Sequence, residues 1–241
     1  MEESLSHPTP KKPLQAFVTR RIQAERQQEV KMNHSHYAQP VTQQPVTKGR
    51  RIATIAVLAA MIVILQTVAS GFHLGPFPIT LSLIPIIIGA VLYGPAAGGI
   101  LGAVFGLVVV SAVVTGADAG GFVMFGIHPI ITVLVCIGKS TAAGIVSGLF
   151  AKKICPKNFN LGVMAAAIAA PVVNTAIFAL VLYSCFYGIL LEWAGGANAL
   201  TFIFTGIIGV NFLIELLLDI ILAPVVVNIL KAIRKNTVRE A

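Results

Sequence analysis

Long apolar runs alternate with short polar breaks along most of this chain. After Arg51 the runs cover residues 52–70, 79–93, 95–115, 127–151, 161–190 and 200–230. A hydrocarbon core about 30 Å thick is crossed by about 20 helical residues, with about 17–25 the usual range. The pattern predicts an all-α integral membrane protein, a bundle of six transmembrane helices. The second run is short and bounded by Pro78 and by Gly94-Pro95, so it reads as a tilted or partial span. The last two are long enough to protrude from the bilayer. Glycine and proline inside such runs are ordinary where spans pack against neighbouring helices.

Residues 1–48 have a different character: Pro, Gln, His and scattered charge, with no sustained apolar period. They read as a disordered tail. Within it, residues 14–32 are a candidate basic helix on anionic lipid, against the simpler reading of a solvated segment. The first apolar run begins too late for a secretory signal. The domain plan is a tail over 1–48, a six-helix membrane domain over 49–235 and a short tail over 236–241.

Composition agrees with the pattern. Of 241 residues, 56% are apolar and 11% charged, and the mean hydropathy is +0.88. Ordinary soluble domains are about 45–50% apolar and about 25% charged. So few ionisable groups cannot cover a water-facing surface, which excludes a soluble enzyme and a disordered chain. The net charge of +8 would suit nucleic acid, but its placement does not. Nine of the 17 basic residues precede Ile52, Lys152, Lys153 and Lys157 sit together, and four follow Leu230. The segments 71–78, 116–126 and 191–199 between them contain no Lys or Arg, only Asp118 and Glu192. Basic residues mark the cytoplasmic side, so both termini are expected in the cytoplasm. The three cysteines, Cys136, Cys155 and Cys185, have no metal-ligand or CxxC spacing and read as inert packing.

Candidate chemistry is sparse. Ionisable groups within spans cost about 2.5–3.5 kcal/mol on insertion scales and default to function. Lys139 lies in the fourth span, Asn174 in the fifth, and Asn211, Glu215 and Asp219 in the sixth. At about 1.5 Å per residue, Lys139 lies about 18 Å from the outer end of its span and Asn211 about 16 Å. Asn174 falls near the middle of its own span. The spacing Asn211-x3-Glu215-x3-Asp219 puts three polar groups on one helical stripe. Two readings stand. In one, Lys139 and Glu215 pair only to offset their burial, an arrangement that adds little stability. In the other, a cation, two amides and a carboxylate form a pocket for a small organic solute bearing a carboxylate and hydroxyl or amide groups. The Gly-rich segments 71–78, 116–126 and 191–199 are candidate lids over such a pocket, or plain tight turns. Tyr183, Tyr187 and Trp193 are placed as interfacial anchors.

Gly138-Lys139-Ser140-Thr141 imitates the end of a phosphate-binding loop, yet Val133 stands where its first glycine belongs and no soluble strand precedes it. No ATP site, cofactor site or metal site is expected, and His34 and His36 have no further ligands nearby. In the first span, Ala56 and Ala60 form a small-xxx-small face that lets another helix approach closely.

Taken together, residues 50 to about 235 resemble the substrate-binding S component of energy-coupling factor (ECF) vitamin transporters. The resemblance rests on the alanine face after a basic cluster and on FPITLSLIPIIIGAVLYGPAAGGILGAVFG over residues 77–106. Pro171-Val-Val-Asn174-Thr175 and the Asn211-x3-Glu215 spacing support it. It implies a subunit of the cell membrane that is no enzyme: it captures a vitamin outside and topples to release it inside. The partners implied are a transmembrane coupling protein and two ABC-type ATPase subunits, besides lipid, with no nucleic acid. Ala56 and Ala60 would dock on the coupling protein, while Lys139, Asn174, Asn211 and Glu215 would hold the solute. The stretch Pro78-Ile-Thr-Leu-Ser82 stands where riboflavin-binding members have Lys-Leu-Asp-Phe, and the chain looks closer to the pantothenate-like group. Lys139 falls where that group often has an arginine, and a lysine lacks the bidentate fork.

A different class stays open: a self-sufficient proton-coupled transporter or channel in which Glu215 and Asp219 relay protons. An intramembrane enzyme ranks below both, for want of an HExxH or a nucleophile–base set; His128 sits at a span's outer end.

Overall fold

The computed structural model describes residues 48–69, 73–74, 77–78, 80, 82–205 and 212–239, with residues 21, 23 and 25–27 of the tail. The chain divides into two units, Met1–Gln39 and Pro40–Ala241. In the first, residues 21, 23 and 25–27 are helical and exposed. Most of the tail, with His34 and His36, lies outside the described residues.

The second unit is helical. In chain order it contains α1 (Lys48–Ala69), α2 (Leu83–Tyr93), α3 (Pro95–Val114), α4 (Ala119–Ile127), α5 (Pro129–Ile154), α6 (Phe159–Cys185), α7 (Tyr187–Ala194), α8 (Ala199–Phe202) and α9 (Leu213–Arg239). A two-residue antiparallel ladder, β1 (His73–Leu74) with β2 (Phe77–Pro78), follows α1, with His73 opposite Pro78. Among the described residues, five helices, α1, α3, α5, α6 and α9, are long and apolar enough to cross a membrane. The 11-residue α2 rises only about 16 Å, as its proline and glycine boundaries predict.

Local chemistry sets the boundaries. Gly94 ends α2 at φ 85°, a left-handed backbone that glycine adopts without penalty, and its N–H donates to Ala90 O at 2.9 Å. Pro95 then opens α3 at a position where no N–H is needed. Asp118 caps α4 by accepting from Gly121 N at 2.9 Å, and Asn158 caps α6 by accepting from Leu161 N at 3.1 Å. His128 closes α4 through its N–H to Met124 O, and Pro129 begins α5 at once.

Two expectations need amendment. The Gly-rich segment 116–126 is neither a lid loop nor a tight turn over most of its length, because a capped helix, α4, occupies it. The run 161–190 does not continue as one helix. It breaks at Phe186 (φ −128°), and α7 follows, with Phe186 and Leu190 buried in one cluster with Met124, Leu182, Ala199 and Ile203. An uninterrupted 30-residue helix would be about 45 Å long, beyond the hydrocarbon core, and the break keeps its apolar surface packed. At the carboxyl end, α9 runs through Arg239.

The densest packing joins α3 to α5. Gly98, Gly102 and Gly106 on α3 face Gly144, Ser140 and Ile137 on α5, and Gly148 lies against Pro95. A Cβ on any of these glycines would run into backbone atoms of the opposite helix. Small residues let membrane helices approach this closely, where dispersion between backbones replaces the hydrophobic effect. Ser147 Oγ donates to Ala166 O at 3.0 Å, tying α5 to α6 on its other side. Gly102→Val is therefore expected to cost about 2 kcal/mol or more, read as a lower Tm of the detergent-solubilised protein. Gly138→Ala, at a glycine with open space around it, should leave Tm unchanged or slightly higher.

Candidate functional site

Helical periodicity turns one face of each surrounding element toward a shared cavity. On α5, Thr132, Val135, Cys136 and Lys139 fall at i, i+3, i+4 and i+7, and all four line it. The face carrying Ser140 and Gly144 meets α3 instead. Asn174 and Phe178 come from successive turns of α6, Phe105 and Val109 from successive turns of α3, and Glu215 from the first turn of α9. Gln66 of α1, Thr80 and Asp118 complete the polar part of the wall. The cavity holds about 750 Å³ of empty space, open solvent at its mouth included.

Three of the four residues expected to hold a solute, Lys139, Asn174 and Glu215, thus share one cavity. The fourth, Asn211, lies outside the described residues. Asp219, the next position of the stripe, is buried one turn along α9 and is not part of the lining.

The polar groups are held but not saturated. Lys139 Nζ lies 4.6 Å from the centroid of the Phe178 ring, a cation–π contact that steadies the ammonium against the apolar wall. Asn174 is 4% exposed and Glu215 6%, yet Asn174 Oδ1 and Glu215 Oε1 have no hydrogen-bond partner. A buried acceptor left in that state costs about 1–3 kcal/mol. Offsetting burial by a Lys139–Glu215 hydrogen bond through Oε1 is not what the side chains do. The wall therefore offers one cation and several acceptors to whatever enters, a set that matches a carboxylate at one end and hydroxyl or amide donors elsewhere.

Sequence reasoning passed over Gln66, Asp118, Thr132 and Cys136. Gln66 is 2% exposed and its Oε1 accepts from Ser82 Oγ at 3.1 Å, joining α1 to the start of α2. As the one amide within the apolar run 52–70, it carried a signal that a search for ionisable groups does not register. Asp118 was assigned to an outer loop, whereas its capping role folds it inward.

Ala56 and Ala60 lie far from this chemistry. Both are exposed on α1, on a face shared with Ile52, Val57 and Ile64, while the buried Leu58, Ile62 and Gln66 mark the side that packs on α2 and α3. Tyr183 and Tyr187 are exposed too, their rings meeting edge to face at 5.5 Å.

Comparison with known proteins gives this arrangement a context. Residues 50–227 match the family described as ECF transporter, substrate-specific component. The chain is similar to the pantothenic acid transporter PanT of Lactococcus lactis subsp. cremoris (strain MG1363), at 28% identity over 204 residues, which covers 79% of this chain and 98% of that protein. No solved structure gives a significant match. Because the family spans well over half of the sequence, and does so over the helices that enclose the cavity, the chain belongs to the substrate-specific components of ECF transporters.

Proposed function

We propose that this subunit captures pantothenate, or a vitamin precursor of the same carboxylate and hydroxyl chemistry, in the cavity bounded by α3, α5, α6 and α9. The observation that carries the reading is the meeting of Lys139, Asn174 and Glu215 on one cavity wall, in a chain similar to a pantothenic acid transporter. Lys139 takes the ligand carboxylate as a point charge. Asn174, Asn211 and Glu215 take its hydroxyl and amide groups. The short α2 counts as a partial sixth span beside the five long helices. The absence of Lys and Arg from the segments 71–78, 116–126 and 191–199 supports an outward cavity mouth and cytoplasmic termini. Energy comes from partner subunits, a transmembrane coupling protein and two ABC-type ATPases, with Ala56 and Ala60 as the contact on α1.

Mass spectrometry of small molecules retained by the purified chain, followed by calorimetry with pantothenate, tests the ligand directly. Lys139→Ala and Asn174→Ala are each expected to weaken binding by about 10- to 100-fold, the loss of one buried hydrogen bond to a charged or polar group. Undiminished binding in both variants would move the site elsewhere. Ala56→Trp is expected to bind pantothenate as the parent does, yet to abolish ATP-dependent uptake in vesicles that contain the partner subunits. The buried acids Glu215 and Asp219 keep the proton-coupled reading in view. Uptake by the chain alone that collapses with a protonophore would favour it.

A further inference from the structure

The cavity's own charges do not balance an anionic ligand. Its charged side chains, among the described residues, are Asp118, Lys139 and Glu215, which amount to −1 when all are ionised. A carboxylate entering beside Lys139 would raise this to −2 inside a largely apolar enclosure, where like charges are poorly screened.

The two acids are not equivalent. Asp118 Oδ1 already accepts Gly121 N–H at the first turn of α4, which favours its ionised form. Glu215 is 6% exposed and its Oε1 has no partner. The groups around Glu215 give it little reason to stay charged once Lys139 is engaged by a ligand. On α9 itself the nearest ionisable neighbour is Asp219, another buried acid one turn away. The helices packed against α9, which are α6 and α2, bring Asn174 and Thr175 but no charged residue among the positions they bury. Gln66, Thr80 and the Cys136 thiol on the wall are neutral, and of these Thr80 hydrogen-bonds to the Glu215 carboxylate.

We propose that Glu215 takes up one proton from solvent when a carboxylate ligand binds, so that the anion enters this site together with a proton. The bookkeeping closes: ligand carboxylate and proton enter together, the cavity stays at −1, and the orphaned Glu215 Oε1 gains an O–H that it donates to the ligand. The inference rests on the carboxylate-binding reading above. It concerns a proton bound with the ligand, and uptake remains driven by the partner subunits.

Calorimetry of pantothenate binding to the full chain in nanodiscs, between about pH 6 and pH 8, tests it. In phosphate and in Tris, whose ionisation heats differ, the observed heats should diverge by the equivalent of up to one proton per ligand. The Kd should rise by up to about tenfold per pH unit. The alcohol analogue, with the carboxylate reduced to a hydroxymethyl group, should bind without proton uptake. Glu215→Gln should remove the pH dependence of Kd, whereas Asp219→Asn should retain it. Binding with buffer-independent heats and a flat pH profile overturns the proposal, as does a Kd that follows sodium concentration instead of pH. Proton uptake that survives in Glu215→Gln and vanishes in Asp219→Asn overturns the assignment to Glu215. Failure of pantothenate to bind at any pH overturns the functional reading itself, a result distinct from binding without a proton.

Discussion

An ammonium, two carboxylates and several amides stand in segments whose other neighbours are hydrocarbon, and hydrocarbon offers them no hydrogen bonds. That deficit costs several kcal/mol for each unsatisfied group, so helices bearing polar residues must turn them toward one another. Lys139, Asn174 and Glu215 come from three different helices, α5, α6 and α9, and they line one cavity. Their hydrogen bonds are incomplete: Asn174 Oδ1 and Glu215 Oε1 remain without partners, and the proposed ligand would supply them.

Placement of these groups depends on how α5 divides its surface. One face carries the cavity residues Thr132, Cys136 and Lys139, and another carries Ser140, Gly144 and Gly148, which meet α3 and the start of its helix. At 3.6 residues per turn, neighbours in sequence point about 100° apart, while Cys136, one turn before Ser140, lies at the border of the two faces. Lys139 and Ser140 are adjacent in sequence and serve different surfaces for this reason. The cation–π contact with Phe178 then fixes the lysine against α6.

Much of this was legible in the chain because bilayer thickness is a ruler. The apolar runs, the half-length α2 and the Gly94-Pro95 joint all followed from lengths and backbone preferences. The break at Phe186 did not, since Pro171 sits inside α6 without ending it and Gly188 falls beyond the break, and the packing of Phe186 and Leu190 on Met124 and Leu182 accompanies it. Helix α4 was hidden by its glycines, which disfavour helices locally, although Asp118 stood where a capping residue belongs. Of the site, the ionisable and mid-span amide residues were readable from their cost in lipid. Gln66 was not singled out, because an uncharged amide near a span's end is a weaker signal. Asn211 falls outside the described residues, and its place on the wall stays with the proposal.

The close approach of α3 and α5 has a mechanical side. Where two backbones touch with no side chain between them, neither helix can slide or rotate without collision, so the pair behaves as a single stiff beam. Any rearrangement of this domain would then fall on contacts made through longer side chains and leave the pair intact. Of the five long apolar helices among the described residues, α1 has the smallest share of its apolar segment buried.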